Sequence, residues 1–142
     1  MCRLMAGTRL AAWVATVSAA ALLAVRTPVF AEEVDWTAAQ PAAVVMIEYA
    51  FEPDSLTFKK GAAYRLHLDN QGKKTHEFTA PAFFKAISMR DATVVNADLT
   101  EIVVQPGEQK DLYFVAQQPG SYKLICSDHD WAGMIGEITI TP

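Results

Sequence analysis

The chain has 142 residues, 51% of them hydrophobic, with 12 basic side chains against 16 acidic ones. This length suits one domain, or one domain after a removable segment, because domains usually run to about 100–150 residues. A net charge of −4 and short lysine pairs exclude the large basic surface that nucleic-acid binding requires.

The first 31 residues have the layout of a secretory signal. Arg3 and Arg9 precede an uncharged, Ala- and Leu-rich stretch over residues 10–25, and a cleavage site is expected after Ala31. Cleavage removes three arginines and no acid, so the mature domain, residues 32–142, has a net charge of −7. We therefore predict export to the periplasm. An uncleaved membrane anchor is the alternative, although the apolar stretch is shorter than the roughly 20 residues that span a bilayer.

The mature chain alternates short apolar segments with turn-forming residues. Residues 45–51 have apolar side chains at every second position, which predicts one strand with Val45 and Ile47 on its buried face, after a loose lead-in. Further alternating segments follow at residues 56–58, 64–68, 102–104, 112–116, 122–126 and 138–140. Seven or eight short strands separated by Pro and Gly turns predict an all-β sandwich or barrel of antiparallel strands.

The alternating pattern lapses over residues 79–100. One or two helical turns are predicted in this stretch, with Pro81 at their first position. Phe83 and Phe84 are expected to be core residues of this stretch, and Met89 is expected in irregular structure and not as a metal ligand.

A thiol, an imidazole and a thioether stand within nine residues, at Cys126, His129 and Met134, between two predicted strands. Cys126 shares a strand face with Leu124, and Met134 shares one with Ile138. Both sulfur side chains are therefore expected to point into the sandwich from adjacent strand ends, with His129 on the loop between them.

A second imidazole would complete a metal site, and His76 is best placed to supply it. His67 alternates with leucines and is expected on the polar face of its strand. Two imidazoles, one thiolate and a weak axial thioether are the ligand set of a blue-copper site. Zinc is the competing metal, although zinc sites favour several thiolates and no methionine. For Cys126, a buried structural thiol is the alternative.

The pattern C-x2-H-x4-M after a Pro-Gly-x-Tyr strand, with an upstream His and a closing Gly-Met-x-Gly-x-Ile strand, resembles the cupredoxins, and most of all the plastocyanin and pseudoazurin group. The resemblance covers roughly residues 44–141. It implies a Greek-key β-sandwich that binds one copper ion per chain. It also implies that the ligands are His76, Cys126, His129 and Met134.

Two positions depart from that group. Glu77 stands where an Asn usually ties the two ligand-bearing loops together, and Glu77 is itself a candidate ligand. Asp128 replaces a frequent Pro, so that Asp128 and Asp130 flank His129. Negative charge beside the metal is expected to favour Cu(II) and to lower the reduction potential.

The expected function is single-electron transfer between redox partners by a monomeric, non-enzymatic copper protein. The −7 charge is expected to steer a partner with a basic docking surface, such as a cytochrome or a reductase, and Trp131 is a candidate contact. A periplasmic copper-delivery protein, with copper as cargo, is the alternative. An enzyme with Cys126 as nucleophile and His129 as base is disfavoured, because the thiol is expected to face inward and no oxyanion donors can be named.

Overall fold

The computed structural model describes residues 33–142, so the predicted secretory signal lies outside the described residues. The described part contains one short helix, α1 (Pro81–Phe84), and two 3-10 turns, Trp36–Ala38 and Asp130–Ala132. Its strands are β1 (Gln40–Ile47), β2 (Ala50–Glu52), β3 (Ser55–Lys59), β4 (Ala63–Asn70), β5 (His76–Thr79), β6 (Ile87–Met89), β7 (Glu101–Val104), β8 (Gln109–Ala116), β9 (Gly120–Ile125) and β10 (Ile135–Thr141). No helix within residues 33–142 is long and apolar enough to cross a membrane.

The strands form two five-stranded sheets. One has the order β2-β1-β4-β8-β6, and the other has the order β3-β10-β9-β5-β7. Two pairs, β1 with β4 and β3 with β10, run parallel, and the other paired strands run antiparallel. The predicted β-sandwich is confirmed. It has more strands than expected because β1 and β2 form a hairpin where one strand was predicted, and because β6 forms in the stretch predicted to be irregular.

The predicted buried face of the first strand was wrong. Val44 and Met46 are buried, whereas Val45 and Ile47 are half-buried. The reason lies in pairing with β4, which sets Val44 opposite the core residue Leu68 and so fixes the pleat. The pairing begins at the first residue of β1, so most of the predicted lead-in is strand.

One apolar core joins the two sheets. Phe58 on β3 meets Phe114 on β8 with 5.0 Å between ring centroids, and Phe83 of α1 lies 5.4 Å from Phe114. Phe83 and Phe84 are buried as predicted, and Pro81 occupies the first turn of α1. Met89 was predicted to lie in irregular structure, and this prediction was wrong. Met89 is the last residue of β6 and packs against the core.

The order of the second sheet positions the site. β9 lies between β10 and β5, and its last residue, Ile125, pairs with Ile135 at the start of β10 and with Thr79 at the end of β5. The antiparallel β5 therefore runs beside the loop that follows β9, and these segments carry the predicted sulfur and imidazole donors.

Candidate metal centre

The predicted site residues come from three chain segments. His76 is the first residue of β5, and Cys126 directly follows β9. His129 precedes the 3-10 turn Asp130–Ala132, and Met134 directly precedes β10. All four side chains are buried, and His129 is the most exposed of them, at 8%.

Three of these residues present donor atoms that lie within 4.8 Å of one another: His76, Cys126 and His129. The sulfur of Cys126 is 3.3 Å from Nδ1 of His129 and 3.8 Å from Nδ1 of His76. The two imidazole rings are tilted by 64°, with 5.0 Å between their centroids. One thiol and two ring nitrogens therefore converge on one small volume.

The loop from Cys126 to Met134 is held by its own backbone. The amide of Cys126 donates to the carbonyl of Met134 at 3.0 Å, and the amide of His129 donates to the carbonyl of Cys126 at 3.1 Å. Gly133 ends the 3-10 turn with φ 90°, a conformation that glycine adopts without steric cost. The backbone thus ties Met134 to Cys126. Both side chains are buried, in agreement with the inward orientation expected from strand parity.

Glu77 connects β5 with this loop. The thiol of Cys126 donates to Oε2 of Glu77 at 3.0 Å, and the amide of Asp128 donates to the same oxygen at 3.4 Å. The amide of Glu77 in turn points at the sulfur of Cys126, at 3.5 Å. Within residues 33–142, the group of mutually close donors does not include the Glu77 carboxylate. Glu77 therefore links the two ligand-bearing segments and stands outside the donor cluster.

A second polar contact joins the same segments. The hydroxyls of Thr79 and Ser127 both donate to Oε2 of Glu101 on β7, each at 3.1 Å. Glu101 and Ser127 were not predicted from the sequence, because their contact depends on the pairing of β5 with β7 and not on any local spacing.

Burial favours the uncharged forms of Cys126 and His76. Removal from water raises the pKa of the Cys126 thiol to about 11, and the hydrogen bond to Glu77 adds to this effect. Burial also lowers the pKa of His76, and the neighbouring His129 lowers it further. His76 is thus kept neutral, which is the form of imidazole that binds a metal.

The donor set fits a metal ion of the first transition row. Two donors at about 2.0 and 2.3 Å from one ion, with roughly trigonal angles, lie about 3.7 Å apart. The observed sulfur-to-nitrogen distances of 3.3 and 3.8 Å lie on either side of this value. A thiol with two imidazoles, and a buried thioether on the same loop as Cys126 and His129, suits copper better than zinc.

His67 lies away from this cluster. It sits on β4 with its Nδ1 2.8 Å from Oδ1 of Asp111, and its side chain is 30% exposed. It therefore faces outward between the buried Leu66 and Leu68, as its alternation predicted.

Two aromatic side chains lie beside His129 at the surface. Trp131 is 77% exposed, and its indole N–H donates to the carbonyl of Asp128 at 2.9 Å. The ring of Tyr49 lies 5.4 Å from the His129 ring and 5.9 Å from the Trp131 ring, between centroids. Tyr49 was not predicted to lie near the site, because its alternation with apolar neighbours predicts a strand and no Gly or Asn marks the turn in which it lies.

Known proteins share this fold. The sequence profile described as "Cupredoxin-like domain" matches residues 9–140. Auracyanin B is 26% identical to this chain, with a TM-score of 0.56 over 77% of this chain and 94% of its own. Dithionite-reduced auracyanin from the photosynthetic bacterium Roseiflexus castenholzii is 17% identical, with a TM-score of 0.55 over 73% of this chain and 98% of its own.

Larger copper proteins share the fold as well. Copper nitrite reductase from Nitrosomonas europaea is 14% identical, with a TM-score of 0.53 over 72% of this chain but only 49% of its own. No curated protein sequence matches the chain. The profile match covers most of the chain, and the fold with its donor cluster fits one copper ion per chain. The chain is therefore a member of the cupredoxin-like domain family.

Proposed function

We propose that this protein carries single electrons between redox partners, with one copper ion held by His76, Cys126, His129 and Met134. The observation that supports this most strongly is the convergence of one thiol and two imidazoles within 4.8 Å in a buried pocket. Cupredoxin family membership and the likeness to auracyanin B add to it.

The protein's own part in this function is to keep the donors in place. A bound copper ion would supply the one-electron Cu(I)/Cu(II) couple. The backbone contacts of the 126–134 loop, the Glu77 link and the Glu101 contact hold the donors in the metal-free chain. A site that is already formed needs little rearrangement when its charge changes, which favours fast electron exchange.

Electrons are proposed to leave through His129. Its ring is the most exposed of the four proposed ligands, and the exposed Trp131 stands two residues further along the same turn. Weak encounters between redox proteins bury only a small contact area, and an exposed tryptophan beside the ligand suits such a contact. The partner is proposed to be a redox protein with a basic docking surface, because the exported domain, residues 32–142, carries a net charge of −7.

Export and the absence of enzymatic activity belong to the same proposal. The layout of residues 1–31 supports a signal that directs the chain to the periplasm. The chain matches only about half the length of the nitrite reductase. Within residues 33–142 the donors gather in one such cluster, at residues 76, 126 and 129, and this supports an electron carrier over a copper enzyme, which normally needs a second copper site.

Electrochemistry combined with copper transfer tests this function. We expect the copper-loaded protein to give a reversible one-electron wave, and to give up its copper to a chelator over hours rather than seconds. Rapid release of copper to the chelator, with no reversible wave, would support the copper-delivery function and contradict electron transfer.

A further inference from the structure

The β1–β2 turn, residues 48–49, touches both histidine-bearing segments of the site. Ile47 pairs with Ala50 across the base of this hairpin, so the turn has only two residues. Glu48 contacts the loop that leads to His76, and Tyr49 contacts the ring of His129. Neither residue is among the donors of the candidate metal centre.

Glu48 holds the loop before His76. Its Oε1 accepts a short hydrogen bond from the amide of Lys73 and a second one from the amide of Lys74, at 3.2 Å. A Cβ atom added to Gly72 would lie 2.8 Å from this oxygen and 3.0 Å from Nε2 of His76. The carboxylate, the loop backbone and the imidazole are thus packed with no room for a further side chain.

Tyr49 adopts a backbone conformation that tyrosine rarely takes. Its φ is 66°, in the left-handed region that favours Gly and Asn. Lys74 Nζ lies 3.2 Å from its hydroxyl oxygen and 5.5 Å from the centroid of its ring, which also packs against His129 and Trp131. Strained residues of this kind persist where surrounding contacts require them, and they cluster at functional sites.

We propose that the Glu48–Tyr49 turn is a clasp that sets the positions of the two histidine rings. Glu48 positions His76 through the 72–74 loop, and Tyr49 positions His129 by direct ring contact. Both are positioning residues for the metal site, so the proposal rests on the proposed function. Lys74 links the two halves of the clasp, because its amide is bound by Glu48 and its amine by Tyr49.

The substitution Tyr49→Asn tests the Tyr49 half. Asn suits the left-handed conformation, so the hairpin is kept while the ring is removed. Leu99→Asn is the matched control, because Leu99 has φ 54° and is exposed to the same degree, 37% against 36% for Tyr49. Tyr49→Phe keeps the ring and removes only the hydroxyl contact with Lys74, so its His129 ring signals should stay close to those of the wild type.

The first readout uses the metal-free chain. We expect Tyr49→Asn to shift and broaden the NMR signals of the His129 ring, and Leu99→Asn to leave them unchanged. Glu48→Ala should shift the His76 ring signals, whereas Glu52→Ala, which removes an exposed carboxylate from the same hairpin, should not. Unchanged histidine signals in both Tyr49→Asn and Glu48→Ala would overturn the clasp.

The second readout uses the copper-loaded chain. We expect Tyr49→Asn to split or broaden the Cu(II) EPR spectrum and to speed copper transfer to a chelator about two- to tenfold, the range set by one aromatic contact. Spectra and transfer rates equal to those of the wild type would contradict the proposal. A wild-type chain without a copper–thiolate band would overturn the proposed function, while the metal-free readout would still decide the clasp.

Discussion

The thiol of Cys126 lies at the centre of the site's contacts. Its sulfur is within hydrogen-bonding distance of Nδ1 of both His76 and His129, and it donates to Glu77. The residue is fully buried, and its pKa is raised to about 11. The metal-free protein thus holds a protonated thiol that solvent does not reach.

This burial predicts slow alkylation of Cys126. A pKa of about 11, against about 9 for an ordinary cysteine, lowers the thiolate fraction at about pH 8 roughly 100-fold. We expect the folded, metal-free mature chain to react with iodoacetamide at least that much more slowly than the urea-unfolded chain. Equal rates in the two states would show that the thiol is accessible and ionised.

Met134 is predicted to tune the site more than to hold it. An axial thioether is a long, weak ligand, and Leu would preserve both the burial and the backbone hydrogen bond from Cys126. We expect Met134→Leu to retain copper and its visible band and to raise the reduction potential, because a donor that helps Cu(II) is removed. Loss of copper, or an unchanged potential, would contradict axial ligation.

Alternate residues of strand β4 face the core and the surface. Leu66 is fully buried, whereas the neighbouring His67 faces outward and contacts Asp111. We expect Leu66→Ala to lower the free energy of unfolding by about 2–5 kcal/mol, because it leaves a cavity in the core. His67→Ala should cost less than about 1 kcal/mol, since it breaks only a partly exposed contact. Urea unfolding of the metal-free chain measures both, and equal costs would contradict this assignment of faces.

The sequence predicts those elements whose apolar residues strictly alternate. Strands β3 and β4 show the expected buried residues because polar side chains separate their apolar ones. Residues 42–47 are apolar without interruption, so the sequence does not say which face of β1 is buried. That choice is made by parallel pairing with β4, a contact between segments distant in sequence.

In the site, too, features set by local spacing are predicted and features set by contacts between distant segments are not. Cys126, His129 and Met134 lie on one short loop, so their spacing and parity predict their proximity. Glu77 and Tyr49 act across elements, and each breaks a local expectation: an acid is buried beside a thiol, and a tyrosine takes a left-handed turn position. The Tyr49 contact follows from the packing of the sheets and has no signature in the neighbouring sequence, whereas the position of Glu77 is marked only by the resemblance to the plastocyanin group.

For the whole molecule, charge and one exposed aromatic residue determine the proposed encounter with a partner. Trp131 is 77% exposed, and its ring lies beside that of Tyr49, which contacts His129. We expect Trp131→Ala to slow electron exchange with a basic redox partner and to leave the copper spectrum intact. The exchange rate should also fall as the salt concentration rises. A rate insensitive to both changes would contradict docking at this surface.

The most direct test of the central claim, that Cys126 binds copper, is the visible spectrum of the mature protein during titration with Cu(II). We expect an intense thiolate-to-copper band that saturates at one equivalent per chain. The band should be absent from Cys126→Ser and unchanged in His67→Ala, which leaves the cluster intact. An intense band that persists in Cys126→Ser, or a wild-type chain that binds Cu(II) without one, would contradict the copper–thiolate site.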